Sequence, residues 1–353
     1  MKIAVGLSGG VDSTLTALLL REQGHEVIGI SMSLYNKDIP NLKPTKDACY
    51  GPKEKEDLPL IHKWCKKQKI EHHILDLSEE YKQTVLKYFK ETYLAGQTPN
   101  PCVMCNAGMK FGLMLDKAHS ICDFDMFATG HYARLTRMDT GVILTRGKDT
   151  KKDQSYFLYR LTQEQLQHTL FPLGEYTKDH VRTMARERGL IQADKADSQD
   201  FYAGDYTDLL QTQPKCGDII LADGTVLGQH QGFWNYTIGQ RKGLGIAYPE
   251  PLFVIALDAK NNRVIVGPRD STFSDSCKIT NIVSGILMQD KNEFDCLVKY
   301  RSTGQLVPAH VKRMQNQYRI DFEEPQKSIT PGQSAVLYDG DLVIGGGIIC
   351  DNT

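Results

Sequence analysis

The sequence has almost no excess charge of either sign, and it lacks long apolar runs. Its 353 residues include 42 Lys and Arg against 43 Asp and Glu, which leaves a net charge of −1. A general attraction to nucleic acid is therefore excluded, and any RNA binding has to come from a local basic surface. No apolar run reaches the length of a membrane span, and no signal peptide precedes the first motif. We therefore expect a cytoplasmic protein with no membrane partner.

The chain also lacks an even, regularly spaced set of cysteines, internal repeats and low-complexity segments. Its nine cysteines are scattered along the chain, which is typical of thiols in a reducing compartment and not of a disulfide scaffold. A hydrophobic content of 41% with 24% charged residues is ordinary for a globular protein. A chain of this length predicts two or three domains.

The most informative stretch that is present is a glycine-rich turn near the N-terminus. An apolar run from Ile3 to Leu7 predicts a buried parallel strand, and the pattern from Thr14 to Gln23 predicts a helix. Glycines at a strand-to-helix turn let backbone N–H groups approach a phosphate, and the N-terminus of the helix favours an anion. The lysine of a Walker-type loop is missing, and Asp12 suits a Mg²⁺ ion between phosphates. The alternative is an ordinary strand–turn–helix junction.

Strands and helices alternate up to about residue 202, which predicts a parallel sheet whose ligands lie beyond the carboxyl ends of the strands. Further predicted strands are Glu26–Tyr35, His72–Leu77 and Phe124–Gly130; predicted helices are Lys55–Gln68, Ser78–Leu94 and Cys105–His119. Residues 36–53 are predicted to form a loop that carries Cys49. A hairpin from Ala133 to Arg146 and a capping box from Thr162 to Gln165 follow.

The second half of the sequence has a different residue pattern, with signals for strands and turns and few for helices. Short β-like pieces are followed by short alternating strands at regular spacing, which predict a small β-barrel. The segment from Asn235 to Gly245 mixes basic and aromatic residues. We predict an α/β N-terminal domain over 1–202, a central domain that contacts RNA over 203–268, and a C-terminal β-barrel over 269–353.

Cys102 and Cys105 form a C-x-x-C pair. A structural zinc site would need further ligands at suitable spacing, and the sequence does not offer them. Cys105 is predicted to begin a helix, where the helix dipole lowers the pKa of a thiol and favours the thiolate. A buried, unreactive cysteine is the alternative for either residue.

These motifs resemble the tRNA-specific 2-thiouridylase family of the ATP-pyrophosphatase superfamily, nearly from end to end. The resemblance rests on long strings: Gly6-Leu-Ser-Gly-Gly-Val-Asp-Ser13, Thr98-Pro-Asn-Pro101 with Cys105-Asn106 and Lys110-Phe111, Ala128-Thr-Gly-His-Tyr132, Lys152-Asp-Gln-Ser-Tyr-Phe-Leu-Tyr159, Phe171-Pro-Leu-Gly174, Gly239-Gln-Arg-Lys-Gly-Leu-Gly-Ile246 and Thr330-Pro-Gly-Gln-Ser-Ala335. It implies a PP-loop fold of the adenine-nucleotide alpha-hydrolase type for the first domain.

The resemblance also implies roles for individual residues. ATP would be held by Gly6, Leu7, Ser8, Gly9, Gly10, Val11, Asp12 and Ser13, with Met32 and Gly130 near its adenosine. The flipped-out target uridine would be lined by Asn100, Pro101 and Cys102. The tRNA would be contacted by Lys152, Asp153, Gln154, Lys299 and Tyr300. A solvated surface charge is the alternative for the two lysines.

The chemistry that the resemblance implies is sulfur transfer to the wobble uridine of tRNA. The C2 oxygen is a poor leaving group, so ATP with Mg²⁺ first adenylates it and pyrophosphate is lost. A sulfur nucleophile then attacks C2, and AMP departs. Cys105 matches the family's nucleophile at the start of a helix, which makes Cys105, Cys102 and Asp12 the candidate catalytic residues.

The sequence departs from the family pattern in its cysteines. The family's persulfide cysteine follows an Asp-Ser pair, here Asp197-Ser198, and Tyr202 stands in its place. The next cysteine, Cys216, is too far along the chain to be the same position. Conversely, Cys102 replaces an aspartate that is common in the family, and Cys49 is predicted at the same end of the sheet.

Three hypotheses follow for the sulfur chemistry. In the one we favour, Cys49, Cys102 and Cys105 bind a 4Fe–4S cluster at three irons, and the fourth iron binds hydrosulfide as the sulfur donor. In the second, Cys102 and Cys105 act as a persulfide and its resolving thiol, supplied by a persulfide carrier protein. In the third, the chain is a non-catalytic relative that binds ATP or tRNA. Adenylation of another substrate is a further alternative.

Overall fold

The computed structural model describes residues 1–36, 46–194, 200–289 and 291–350. They fall into two compact units. The first unit holds Met1–Leu86, Pro101–Asp208 and Asp341–Val343. The second holds Lys87–Asn100, Leu209–Gly340 and the chain from Ile344 onward.

The described secondary structure alternates in the first half of the chain and is mainly β in the second. The strands are β1 (Lys2–Gly6), β2 (Glu26–Ser33), β3 (Ala48–Tyr50), β4 (Glu71–Asp76), β5 (Met126–Ala128), β6 (Ala133–Met138), β7 (Gly141–Arg146), β8 (Thr169–Leu170), β9 (Asp200–Tyr202), β10 (Gly217–Leu221), β11 (Val226–His230), β12 (Phe253–Asp258), β13 (Arg263–Gly267), β14 (Phe273–Ser284), β15 (Glu293–Lys299), β16 (Val307–Met314), β17 (Gln317–Lys327), β18 (Ser334–Asp339) and β19 (Leu342–Cys350). The α-helices are α1 (Val11–Glu22), α2 (Glu54–Gln68), α3 (Ser78–Tyr81), α4 (Lys87–Leu94), α5 (Pro101–Met104), α6 (Met114–His119), α7 (Ser155–Leu158), α8 (Gln163–Gln167), α9 (Lys178–Glu187) and α10 (Tyr206–Leu210).

A parallel sheet organises the first unit. Its strand order is β4-β2-β1-β5-β8, and every adjacent pair is parallel, as the alternating pattern predicted. The apolar run of β1 is completely buried at Ile3, Ala4 and Val5, which explains why it reads as a continuous hydrophobic segment. The central position of β1 places the loop that follows it in the middle of one edge of the sheet.

Two predicted helices differ from the structure. The helix expected over 78–94 is interrupted by a π-helical turn at Lys82–Leu86. As predicted, Ser78 is the first helical residue, and its N–H and hydroxyl both donate to Asp76 Oδ1. The helix expected to begin at Cys105 begins at Pro101, where a proline fits because the first helical N–H needs no partner. A π-helical turn then covers Cys105–Leu113.

The segment predicted as a loop around Cys49 contains a strand. Strand β3 pairs in parallel with β9, and this register places Tyr50 opposite Tyr202. The pairing joins two segments that are about 150 residues apart, so no local signal in the sequence predicts it. Of the motif around Tyr202, Asp197 and Ser198 lie outside the described residues.

The hairpin and the capping box are confirmed. Strands β6 and β7 pair in antiparallel fashion from Ala133↔Arg146 to Met138↔Gly141. At α8, the Thr162 hydroxyl accepts a hydrogen bond from Gln165 N, and the Gln165 side chain accepts one from Thr162 N.

Two β-structures lie in the second unit. Strands β11-β10-β13-β12 form a four-stranded sheet over a core that includes Ile219, Val254 and Val264. Strands β14-β17-β16-β15-β18-β19 form a six-stranded barrel that the pairing of β14 with β19 closes. The C-terminal β-barrel that the short alternating strands predicted is therefore confirmed.

Candidate active site

The turn after β1 has glycines at the start of α1, as predicted, so no side chain at these positions covers the backbone N–H groups. Gly10 caps α1, and Gly9 has a φ of 75°, which a residue with a side chain rarely adopts. A Cβ at Gly9 would also lie 3.0 Å from the Ile61 side chain of α2. Ser8 N donates to Ser13 Oγ at 3.2 Å, so the two ends of the turn are tied together. The result is a compact loop at the N-terminus of a twelve-residue helix.

Gly130 and Met32 flank this loop because their strands are the neighbours of β1. Met32 lies near the carboxyl end of β2, and Gly130 follows the end of β5. A Cβ at Gly130 would lie 2.7 Å from the Asp12 carbonyl carbon and 2.9 Å from Asp12 Cβ. The position therefore admits only a glycine without a shift of the loop.

Asp12 is held by two residues from distant parts of the chain. Lys178 Nζ donates to Asp12 Oδ1 at 2.9 Å and to Oδ2 at 2.8 Å, and Tyr132 OH donates to Oδ1 at 2.8 Å. A carboxylate has about four acceptor positions, so one remains on Oδ2. That oxygen is a suitable ligand for Mg²⁺, which prefers carboxylates and phosphate oxygens.

Lys178 was not among the residues that the sequence predicted. It opens α9, and its side chain is only 7% exposed although it carries a charge. Asp12 and Lys178 are 166 residues apart, and no local motif marks the lysine. The structure thus places a buried ammonium group at the loop that lacks a Walker lysine.

Cys49, Cys102 and Cys105 lie within electrostatic range of one another and of Lys110. Burial alone would lower the pKa of the Lys110 ammonium, yet Cys105, Cys49 and Cys102 together raise it above its usual value. The three thiols therefore share the electrostatic surroundings of one cation. Within the described ranges, no group of three or more His, Cys, Asp or Glu could hold a metal ion.

The predicted low pKa of Cys105 is wrong. Burial raises the pKa of Cys105 to about 11 and that of Cys102 to about 12, although Lys110 opposes both shifts. Cys105 lies one helical turn beyond Pro101, so it does not occupy the helix N-terminus where a dipole would stabilise a thiolate. Burial thus disfavours the thiolate at both positions, whereas the Lys110 charge favours it.

Tyr202 packs in an aromatic group beside these thiols. Its ring lies 6.1 Å from that of Tyr50, which stacks on Tyr81 at 5.4 Å. Burial first, and then Cys105, Cys49 and Cys102, raise the pKa of Tyr81 well above its usual value. Tyr202 OH donates to Asp208 Oδ2 at 3.3 Å. Tyr202 is thus a buried packing residue next to the site and has no thiol to offer.

Lys110 also connects the thiols with the glycine loop. Burial and the Lys110 charge hold the pKa of His131 well below its usual value, so the imidazole is neutral. Thr129 Oγ1 lies 2.7 Å from His131 Nδ1, and His131 directly follows Gly130. The thiols and the loop therefore border one region of the first unit.

The residues predicted to contact tRNA have different surroundings. In the first unit Lys152 is exposed, whereas the Asp153 carboxylate is buried and accepts hydrogen bonds from Gly147 N, Ser155 N and Ser155 Oγ. Gln154 exchanges hydrogen bonds with the Tyr132 backbone. Asp153 and Gln154 thus fix the loop that presents Lys152.

Of the other residues predicted to contact tRNA or its target uridine, Pro101 and Cys102 lie in the first unit, and Asn100, Lys299 and Tyr300 lie in the second. Asn100 is buried, and its N–H donates to Tyr88 OH at 3.1 Å. Lys299 and Tyr300 are largely buried at the end of β15, and Tyr300 OH donates to Gln326 Oε1. Their contacts with tRNA stay predictions.

Three family models match the chain in sequence order. Residues 1–202 match the tRNA methyl transferase HUP domain, residues 208–268 the tRNA methyl transferase PRC-barrel domain, and residues 274–349 the aminomethyltransferase beta-barrel domain. The first model alone covers more than half of the chain.

Curated relatives match over nearly the whole length. The tRNA-specific 2-thiouridylase MnmA of Endomicrobium trichonymphae is 43% identical, with 99% of each chain covered. MnmA 1 of Caldanaerobacter subterraneus subsp. tengcongensis is 42% identical, covering 99% of this chain and 97% of its own. The Aquifex aeolicus protein of the same name is 38% identical, with 99% of each chain covered. The chain belongs to the tRNA-specific 2-thiouridylase family.

Membership of the 2-thiouridylase family confirms the resemblance drawn from the motifs. The domain types agree as well, with an α/β first domain, a central domain and a C-terminal barrel. No helix in the described part of this family member has both the length and the apolar character of a membrane span.

We predict that Gly130→Ala weakens ATP binding by about 5- to 150-fold, because fitting a methyl group into a packed site costs about 1–3 kcal/mol. The displaced atoms belong to Asp12 in the loop itself. Titration calorimetry with ATP measures the effect. Gly108→Ala is the matched control, since its Cβ would meet nothing within 4 Å. Equal ATP affinity in the two variants would contradict the close approach of Gly130 to the loop.

Proposed function

We propose that the chain is an ATP-dependent tRNA sulfurtransferase that makes 2-thiouridine at the wobble position. Residues 1–202 would form the catalytic domain, 203–268 a central tRNA-contacting domain and 269–353 the C-terminal barrel. The proposal rests on the surroundings of Lys110. This residue interacts electrostatically with three thiols and also with His131. His131 follows Gly130, which lies against the glycine loop. Adenylation and sulfur transfer need an ATP site and a thiol site close to each other, because the same uridine reacts first at one and then at the other.

The first step is assigned to the glycine loop. Backbone N–H groups at the start of α1 face the phosphates of ATP, and the helix dipole favours their negative charge. Lys178 supplies the fixed cation that a Walker lysine supplies elsewhere, while Asp12 orients it and presents Oδ2 to Mg²⁺. Mg²⁺ held by Asp12 would offset negative charge on the departing pyrophosphate. The uridine C2 oxygen attacks the α-phosphorus, and pyrophosphate leaves.

The second step is assigned to the thiol site. A sulfur nucleophile attacks C2 of the adenylated uridine, the C2–O bond breaks, and AMP leaves with the former C2 oxygen. Lys110 lies where its charge stabilises sulfur anions on Cys49, Cys102 and Cys105. The neutral His131 adds no competing positive charge.

Three thiols near one cation offer the number of protein ligands that a 4Fe–4S cluster with one open position would need. Such a cluster would supply a site for hydrosulfide as the sulfur source. Cys49, Cys102 and Cys105 would be its ligands, with Lys110 balancing their negative charge.

A persulfide mechanism is the second candidate. Cys102 lies in α5, and Cys105 begins the π-helical turn that follows it. Both thiols interact electrostatically with Lys110. A persulfide carrier protein would pass its outer sulfur to one of the two thiols, and this outer sulfur would attack C2 as AMP leaves. The other thiol would then attack the inner sulfur and release the 2-thiouridine, which leaves a Cys102–Cys105 disulfide for an external thiol to reduce. In this case Cys49 would have no direct part.

We predict that Asp12→Ala and Lys178→Met both abolish tRNA-dependent pyrophosphate release, because each removes one half of the charge pair at the phosphate loop. Release of pyrophosphate in single turnovers measures the first step alone. Lys63→Met is the matched control, since Lys63 is exposed on α2, and it should retain full activity. Unchanged circular dichroism would show that the variants are folded. Wild-type rates in Asp12→Ala would refute the assignment of the loop.

We predict that Cys49→Ala, Cys102→Ala and Cys105→Ala each lose bound iron and thiolation together, because a cluster held by three thiolates does not tolerate removal of one. Iron and acid-labile sulfide are measured after anaerobic purification. Cys122→Ala and Tyr202→Phe should keep both, since neither residue is a predicted ligand.

The same variants separate the two sulfur mechanisms. If Cys102 and Cys105 work as a persulfide pair, Cys49→Ala stays active and the protein needs no iron. An anaerobically prepared, iron-free protein that thiolates tRNA at full rate would rule out the cluster.

A further inference from the structure

The second unit contains a basic cleft in which Arg241, from the segment of mixed basic and aromatic residues, lies beside two cations that the sequence did not predict to contact tRNA. The cleft has a volume of about 500 Å³ and is lined by Arg241, Glu250, Pro251, Phe253, Arg269 and Lys327. Three cations face a single carboxylate, so the cleft carries an excess of two positive charges. In a chain with a net charge of −1, such a concentration is a local exception.

The three cations are not used to stabilise the fold through ion pairs. In the part of the chain that the structure describes, the side chains of Arg241, Arg269 and Lys327 make no hydrogen bond or ion pair with another residue. Lys327 Nζ lies 5.1 Å from the centre of the Phe253 ring, which fixes the ammonium group without neutralising it. The charges are therefore available to an anionic ligand.

The loop that carries Arg241 is held in place by its neighbours. Gly239 N donates to Val254 O at 2.8 Å, and Val254 N donates to Gln240 O at 2.9 Å. The Gln240 side chain donates to Lys242 O at 3.0 Å and accepts from Thr237 N. These bonds anchor the loop to β12, so the Arg241 guanidinium is presented from an ordered backbone. Little ordering entropy would be lost when a ligand binds.

A second cleft adjoins the first and has a different character. It has a volume of about 410 Å³ and shares Arg241, Glu250 and Pro251 with the basic cleft. Its wall includes Tyr248, which is 41% exposed, and the glycine-rich backbone from Gly243 to Gly245. An exposed aromatic ring beside guanidinium groups is the combination on which unpaired nucleobases stack while their phosphates are neutralised.

We propose that these two clefts bind one strand of tRNA, with phosphates at Arg241, Arg269 and Lys327 and a base or ribose against Tyr248. This inference rests on the proposed function, because it takes tRNA as the macromolecular substrate. It assigns RNA binding to a surface built from β12, β17 and the loop before β12. Each phosphate contact at this surface releases counterions, so the cleft should dominate the salt dependence of tRNA binding.

The test compares two triple variants in tRNA binding over a range of salt concentrations. Arg241→Gln, Arg269→Gln and Lys327→Gln are combined in one protein. The matched control combines Lys215→Gln, Lys260→Gln and Arg313→Gln, which are exposed cations of the same unit outside both clefts. The two proteins have the same net charge, so any difference between them reports the position of the charges.

The cleft variant should bind tRNA at least tenfold more weakly at about 0.1 M salt. The slope of log K against log salt should become shallower by roughly 0.7–0.9 for each lost phosphate contact. The control variant should stay close to the wild type. Tyr248→Ala should weaken binding at every salt concentration and leave the slope unchanged, because stacking releases no counterions.

Equal affinities and slopes in the two triple variants would overturn the proposal. If the combined cleft variant fails to fold, tRNA affinity and its salt dependence are measured for the single variants Arg241→Gln and Arg269→Gln, each of which removes one phosphate contact. A wild-type protein that binds tRNA through the cleft but releases no pyrophosphate would refute the proposed function and leave the cleft assignment intact.

Discussion

The close approach of Gly130 to Asp12 is the constraint on which the arrangement of the site depends. It lets the segment after β5 pass directly over the start of α1, where a single methyl group would be 2.7 Å from backbone. That passage places His131 beside the region of Lys110, and Tyr132 where its hydroxyl reaches Asp12. The segment that begins at Gly130 thus reaches the glycine loop through Tyr132 and the surroundings of Lys110 through His131.

The unusual cysteine set has a structural explanation in the pairing of β3 with β9. Tyr202 occupies the position where the family pattern has a cysteine, and it faces Tyr50 across that pair. Cys49 is the residue before Tyr50, so a thiol remains on the partner strand although position 202 has none. Tyr202 lies 6.1 Å from Tyr50, and Tyr50 stacks on Tyr81, so the three rings pack together beside Cys49. The substitution at position 202 therefore leaves a buried aromatic group where the family pattern has a thiol.

Local signals in the sequence predicted the strand–loop–helix start, the parallel sheet, the hairpin, the Thr162 capping box and the barrel. Each of these depends on periodicity, glycine or capping residues within a few positions. The cysteine-bearing helix was predicted to begin at Cys105 and begins at Pro101, because a proline fits the first helical position, where the N–H needs no partner. Lys178, which lies 166 residues from Asp12, and the β3–β9 pair could not be predicted, because they are contacts between distant segments without a local pattern.

The central claim is that ATP activates the C2 oxygen of uridine and that sulfur then replaces it. The most direct measurement uses tRNA that carries ¹⁸O at C2 of the target uridine, incubated with the protein, ATP and a sulfur source. Mass spectrometry of the products should find one ¹⁸O atom in each AMP and a 2-thiouridine free of the label. AMP without ¹⁸O, or label released to water, would contradict adenylation at this oxygen.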